Sequence, residues 1–176
     1  MLIFSIDLRN TKEAMILFMN KMKINTIENI LPYSIIRDIL HDSRDLPWGF
    51  LEGKRTDNKN RIWMHQYHYA SFQYCVHKFK SSRGKLRIEL CKDKKGSWLE
   101  QHVDDVAKIH TMQIYLTDAP ASTYFDNGPT EAKVNTGWWF DNTGVELHGL
   151  EPLKSDRISI IINYVNDKWR DQSVLC

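Results

Sequence analysis

Cysteine is scarce in this sequence: Cys75, Cys91 and Cys176 are the only three, and their spacings form neither a disulfide framework nor a zinc-ligand pattern. A cystine-stapled secreted fold is therefore excluded, and a reducing, cytoplasmic setting is expected. Long hydrophobic runs are also missing. The longest near the end, ISIIINYV at 158–165, falls far short of the roughly 20 residues that cross a bilayer as a helix. The apolar start, MLIFSIDLRN, is interrupted by Asp7 and Arg9 before a secretory core could form. No membrane partner is expected. Nor does one sign of charge prevail: 24 basic against 22 acidic residues leave a net charge of +2, too little for the broad electropositive surface that nucleic-acid binding needs. Repeats, low-complexity segments and flexible linkers are absent. What remains is an ordinary globular composition, 42% hydrophobic and 11% aromatic over 176 residues, which suits one domain with a single core.

The front of the chain reads as helices and loops. TKEAMILFMNKMKI has a capping Thr11 and places Met15, Phe18, Met19 and Met22 on one helical face. SIIRDILH at 34–41 predicts a second, short helix, GKRTDNKN at 53–60 a solvated loop, and RIWMHQ at 61–66 a strand. Phe72, Cys75, Val76 and Phe79 repeat at helical spacing, with the helix ending near SSRG. From Lys85 the pattern changes to short β-type segments: LRIELC, IHTMQIYL, STYF, AKVN, GWWF and RISIIINYV, broken by Gly, Pro, Asp and Asn. The expected fold is α+β, mainly β: an antiparallel sandwich or jelly roll buttressed by N-terminal helices. The expected division is a helical support region with a first strand at 1–84, a β core at 85–166 and a C-terminal tail at 167–176.

The chemistry lies in the second half. His102 and Asp104 are two residues apart, so on an extended strand both project from one face and can chelate one metal. An imidazole and a carboxylate need one further imidazole to form the two-histidine, one-carboxylate triad of open iron(II) sites. His148, in NTGVELHGLEP, is the candidate. Nine residues later Arg157 and Ser159 open the strand RISIIINYV on a common face. A planar, permanently charged fork beside a hydroxyl suits a carboxylate.

The ordered set His102-Val-Asp104, His148 and Arg157-Ile-Ser159 resembles the signature of the 2-oxoglutarate/iron(II) oxygenase superfamily, and most of all its prolyl-hydroxylase-like branch. The resemblance covers about residues 85–166, and HVD and RIS each occur once in the chain. It implies a double-stranded β-helix, iron(II) on His102, Asp104 and His148, and 2-oxoglutarate and dioxygen as cosubstrates. The distal carboxylate of 2-oxoglutarate would meet Arg157 and Ser159. Hydroxylation of a peptide side chain or small molecule is the implied reaction. A Gly-Gly-containing turn found in many members is replaced here by DAPASTYFDNG, which bears on the pocket rim. By the same resemblance Tyr115 would hydrogen-bond the cosubstrate, with a packed barrel tyrosine as the alternative. Asp105 and Lys108, close behind the metal pair, are candidates for substrate contact at the rim.

Several plainer readings stand beside these. Arg157 could form a structural salt bridge. Arg87 reads as a solvated strand arginine, with a pocket residue as the alternative, KDKK at 92–95 as a solvated turn, and one of Trp138 and Trp139 as a core residue. His41, His65, His68, His77 and His110 read as structural histidines. The alternative function is a non-catalytic jelly-roll protein in which the same residues hold a structural or sensing metal.

Overall fold

The computed structural model describes residues 24–50, 59–120, 123–125 and 128–169. The helix expected from Thr11 lies outside these residues, as does 53–58 of the expected loop, whose last two residues belong instead to a strand. In chain order the described elements begin with β1 (Asn25–Glu28), helix α1 (Tyr33–Asp42), β2 (Gly49–Phe50) and β3 (Lys59–Trp63). A 3-10 turn at Met64–Gln66 leads to helix α2 (Ala70–Phe79). The remainder is strand: β4 (Lys85–Asp93), β5 (Leu99–Val103), β6 (Lys108–Tyr115), β7 (Thr123–Phe125), β8 (Gly128–Pro129), β9 (Thr136–Asp141), β10 (Leu147–Leu150) and β11 (Arg157–Val165).

These strands form two sheets, one of seven strands in the order β1-β9-β6-β11-β4-β3-β2 and one of four in the order β5-β10-β7-β8. Neighbours are antiparallel throughout. The architecture is the expected mainly β jelly roll with helices against one sheet. Among the described residues of the first half, β1 and β2 join the large sheet unexpectedly, beside β3, which covers the first part of the strand expected at 61–66.

Register separates the two faces of that sheet. Ile88, Leu90, Ile160, Ile162 and Ile114 project to one side and pack with Ile36 and Ile39 of α1 and Phe72, Cys75 and Phe79 of α2. Each such side chain contributes roughly 1.5–3 kcal/mol by leaving water. Helix α1 buries Ile36 and Ile39, three apart, α2 buries Phe72, Cys75, Val76 and Phe79, three and four apart, and Ser71 Oγ donates to Asp42 Oδ2 at 2.6 Å, tying the start of α2 to the end of α1. The opposite face carries Arg61, Arg87, Glu89, Asp93, Thr111, Gln113 and Arg157, all of which line a cavity of about 580 Å³ between the sheets. A second apolar cluster of Tyr115, Phe125, Trp138 and Phe140 meets it through Trp138. Among the described residues no helix is long and apolar enough to cross a membrane.

Candidate metal and cosubstrate site

His102 ends up opposite His148 because β5 and β10 pair in a register that makes them direct partners. Their rings lie 4.5 Å apart between centroids. Asp104 follows immediately after β5, and one ligand atom from each of the three residues lies within 4.8 Å of the others. Strand β10 is only four residues long, yet its register brings together residues far apart in sequence.

Backbone carbonyls orient both imidazoles. His102 Nδ1 lies 3.0 Å from the Glu100 carbonyl and His148 Nδ1 lies 3.1 Å from that of Glu146. A carbonyl only accepts, so each Nδ1 carries the proton and each Nε2 keeps its lone pair for a metal. Glu146 also organises the approach to β10. Its carboxylate accepts the backbone N–H groups of Thr143, Gly144 and Val145 and the Thr143 hydroxyl. Burial pushes the Glu146 carboxyl up, but these hydrogen bonds outweigh it and hold the group below its usual range.

The two oxygens of Asp104 have different partners. Thr111 Oγ1 lies 3.0 Å from Oδ2 and equally 3.0 Å from Asn163 Oδ1. Oδ1 receives the Lys108 ammonium and lies 3.9 Å from His102 Nε2. Burial raises the Asp104 carboxyl, but the charge of Lys108 and the hydrogen bonds from Lys108 and Thr111 prevail and depress it. The site is thus built around an ionised carboxylate. Asp105 and Lys108 both line the cavity, with Asp105 exposed and its Oδ1 accepting the Ala107 N–H at 2.7 Å.

Arg157 lies on the cavity floor and is 3% exposed. Its Nε and Nη2 donate to one oxygen of Asp93 at 3.1 and 2.6 Å, while buried Nη1 has no acceptor among the described residues. The salt bridge considered from the sequence is present, and it leaves one donor unused. Asp93 belongs to KDKK, so the reading of that run as a solvated turn holds for the exposed Lys94 and Lys95 and is corrected for Asp93. Asp93 is in β4, directly opposite Arg157, and is 2% exposed.

Ser159 and Tyr115 lie behind the cavity wall rather than in it, for both are fully buried and neither lines the space. Trp138 Nε1 donates to Tyr115 Oη at 2.9 Å, Tyr115 to Thr123 Oγ1 at 3.3 Å, and Thr123 to Gln113 Oε1 at 3.2 Å. Gln113 Nε2 completes the chain by donating to Ser159 Oγ at 2.8 Å. The Tyr115 ring meanwhile lies 5.5 Å from the Arg157 guanidinium carbon. Gln113, Thr123 and Trp138, not Tyr115, are therefore the cavity-facing members of this hydrogen-bond chain, and sequence reasoning missed Gln113 and Thr123. Trp138 is buried, as one of the tryptophan pair had to be, and it also lines the cavity. Arg87 is corrected too: it is 6% exposed, lines the cavity and rests against Trp63 and Trp169. His110 keeps its structural role, bonding Asp141 at 2.8 Å through Nδ1 outside the cavity wall.

The residues fit a metal and a dicarboxylate cosubstrate on physical grounds. One ring nitrogen from each histidine and one carboxylate oxygen converge, and Arg157, with an orphaned guanidinium donor, lines the same cavity. No protein-family model and no curated protein sequence matches the chain. Solved structures do. A prolyl-4-hydroxylase from Pseudomonas putida aligns with a TM-score of 0.66 at 14% identity, over 88% of this chain and 98% of that one. A prolyl hydroxylase from Trichoplax adhaerens, in complex with a hypoxia inducible factor peptide fragment, aligns with a TM-score of 0.59 at 14% identity over 90% of each chain. HygX from Streptomyces hygroscopicus, holding nickel, 2-oxoglutarate and hygromycin B, gives 0.58 at 11% identity over 91% of this chain and 90% of its own. The chain therefore has the fold of the prolyl hydroxylases and of other 2-oxoglutarate-dependent oxygenases.

Proposed function

We propose that the protein is a non-haem iron(II) oxygenase that couples oxidative decarboxylation of 2-oxoglutarate to hydroxylation of a peptide side chain or a small metabolite. One observation carries this reading: the ligand atoms of His102, Asp104 and His148 converge within 4.8 Å in the cavity whose floor holds Arg157. Bound iron(II) would supply the oxidising chemistry, in which 2-oxoglutarate, dioxygen and a substrate C–H group give succinate, carbon dioxide and a hydroxylated substrate.

The chain's own residues do the binding and positioning. His102 and His148 would bind the metal through Nε2, and Asp104 through Oδ1 while Thr111 retains Oδ2. Arg157 would offer Nη1 to the distal carboxylate of 2-oxoglutarate, with Asp93 and the Tyr115 ring fixing the guanidinium plane. Ser159 would act through Gln113. Asp105 and Lys108, at the metal end, would meet the substrate. The roominess of the cavity supports catalysis over a closed structural metal site. The peptide held by the Trichoplax adhaerens enzyme and the hygromycin B held by HygX support the two substrate classes in turn.

Anaerobic titration with iron(II) and then 2-oxoglutarate is the direct test. A metal-to-ligand absorption band, followed by succinate release on admission of air, is expected. His102→Ala should abolish the band, whereas Arg157→Ala should keep iron binding and weaken 2-oxoglutarate by about two orders of magnitude, as expected for a lost buried charge pair. No band and no succinate would leave the structural-metal alternative standing.

A further inference from the structure

Strand β11 buries a carboxamide among its isoleucines. Asn163 is 0% exposed within RISIIINYV, and an amide taken out of water is costly unless its hydrogen bonds are met. The register sets it directly across from Arg87 on β4 and Thr111 on β6. Both of those residues line the cavity, so Asn163 lies on the cavity side of the sheet, fully enclosed.

Thr111 is its decisive contact. Thr111 Oγ1 lies 3.0 Å from Asp104 Oδ2 and 3.0 Å from the oxygen end of the Asn163 amide. A hydroxyl carries one hydrogen and cannot donate to two oxygens. With Oδ1 toward Thr111, Asn163 and Asp104 compete for that hydrogen, while Nδ2 is buried with no acceptor among the described residues. The two ends of a carboxamide have nearly the same shape, and the surrounding hydrogen bonds decide which end goes where. With Nδ2 toward Thr111 both contacts are made: Nδ2 donates to Oγ1, and Oγ1 donates to Asp104 Oδ2. A carbonyl oxygen then takes the place of the orphaned N–H, and buried acceptors tolerate such a position better than buried donors.

The direction of this relay bears on the metal site. Asp104 follows β5 of the small sheet, whereas Thr111 and Asn163 stand on the large one, so the carboxylate is fixed from the opposite sheet. Oδ2 is held by the hydroxyl; Oδ1, which Lys108 covers, lies 3.9 Å from His102 Nε2. An aspartate that offers one oxygen leaves more of a metal's positions open than one that chelates with two.

We propose that Asn163 is a positioning residue for the metal ligand Asp104: its amide donates to Thr111, which commits the Thr111 hydrogen to Asp104 Oδ2 and leaves Oδ1 for the metal. The proposal rests on the oxygenase reading, which makes the triad the metal site.

The test measures zinc(II) affinity of the full chain by competition with a chelating dye. Thr111→Val should weaken zinc about tenfold, as loss of a partner that orients a ligand does, and Thr111→Ser should restore it to within about twofold. Asn163→Leu should weaken zinc about fivefold, because the hydroxyl loses the donor that polarises and aims it. In the double variant zinc should bind within about twofold of Thr111→Val alone, since Asn163 acts only through Thr111. A merely structural role for Asn163 would instead add its full effect in either background. Side-chain amide NMR of the metal-free protein supplies a second readout. The Asn163 carboxamide protons, identified by their loss in Asn163→Leu, should exchange with solvent at least about tenfold faster in Thr111→Val, where their acceptor is gone.

Additive weakening in the double variant, parent-like affinity in Asn163→Leu, or exchange unmoved by Thr111→Val would each overturn the proposal while leaving the triad intact. A parent that binds zinc no better than His102→Ala would sink the triad, and this role with it. Near-UV circular dichroism checks each fold, and if Asn163→Leu is unfolded, Asn163→Ala takes its place in every comparison.

Discussion

Lys108 presents its ammonium to the Asp104 oxygen that lies 3.9 Å from His102 Nε2, so an incoming divalent metal must displace a cation already in place. Lys108→Met removes that competitor and also leaves a buried carboxylate unpaired. Breaking such a pair costs on the order of 3–5 kcal/mol. The variant should melt well below the parent without metal and recover most of the difference with manganese(II), giving a larger metal-induced shift than the parent shows. An equal shift in both proteins would mean that Lys108 does not compete. At this scale the convergence of His102, Asp104 and His148 beside Arg157 was legible because residue type, spacing and order carry it. Asp93, Gln113 and Arg87 were not, since each earns its place only through a partner on another strand: Asp93 through Arg157, Gln113 through Thr123 and Ser159, Arg87 through two indoles.

Strand pairing around the site tolerates little added bulk. A Cβ on Gly137 would lie 2.1 Å from the Gln113 carbonyl oxygen, and β6 would have to move away from β9. Gly137→Ala should therefore cost about 1–3 kcal/mol in urea unfolding and weaken 2-oxoglutarate binding by displacing Gln113. Gly96→Ala meets nothing within 4 Å and has only a positive φ of 85° to accommodate. It should cost about 1 kcal/mol and leave cosubstrate affinity unchanged. Equal effects of the two substitutions on 2-oxoglutarate would refute the link through β6. Helices α1 and α2 were readable from their apolar spacing, and β6, β9 and β11 from their β-branched and aromatic content. The lengths of β10 and β1, four residues each, are too short for a periodic signal, and AKVN, expected as strand, supplies only an isolated bridge at Ala132 and a turn. On β4 and β11 both faces are covered, one by helices and one by the cavity wall, so burial barely alternates there.

Across the whole molecule the two halves of the site belong to different sheets. The histidines stand on the four-stranded sheet and Arg157 on the seven-stranded one. A metal-bound dicarboxylate reaching Arg157 would therefore clasp the sheets together. Zinc(II) and 2-oxoglutarate added together should raise the melting temperature by more than the sum of their separate effects. At a hundredfold excess over its dissociation constant a ligand adds about 2.7 kcal/mol. In Arg157→Ala the zinc shift should survive and the extra gain disappear; a strictly additive response in the parent would argue against a bridging cosubstrate. Chain order has a further effect. β11 is the last described strand, yet it lies between β4 and β6 at the heart of the large sheet. While the chain is being synthesised, β4 and β6 must wait with their facing edges unpaired, and unpaired edges invite pairing with other chains. The segment that seals those edges also delivers Arg157, so protection from aggregation and the proposed anchor for the cosubstrate would arrive in a single event.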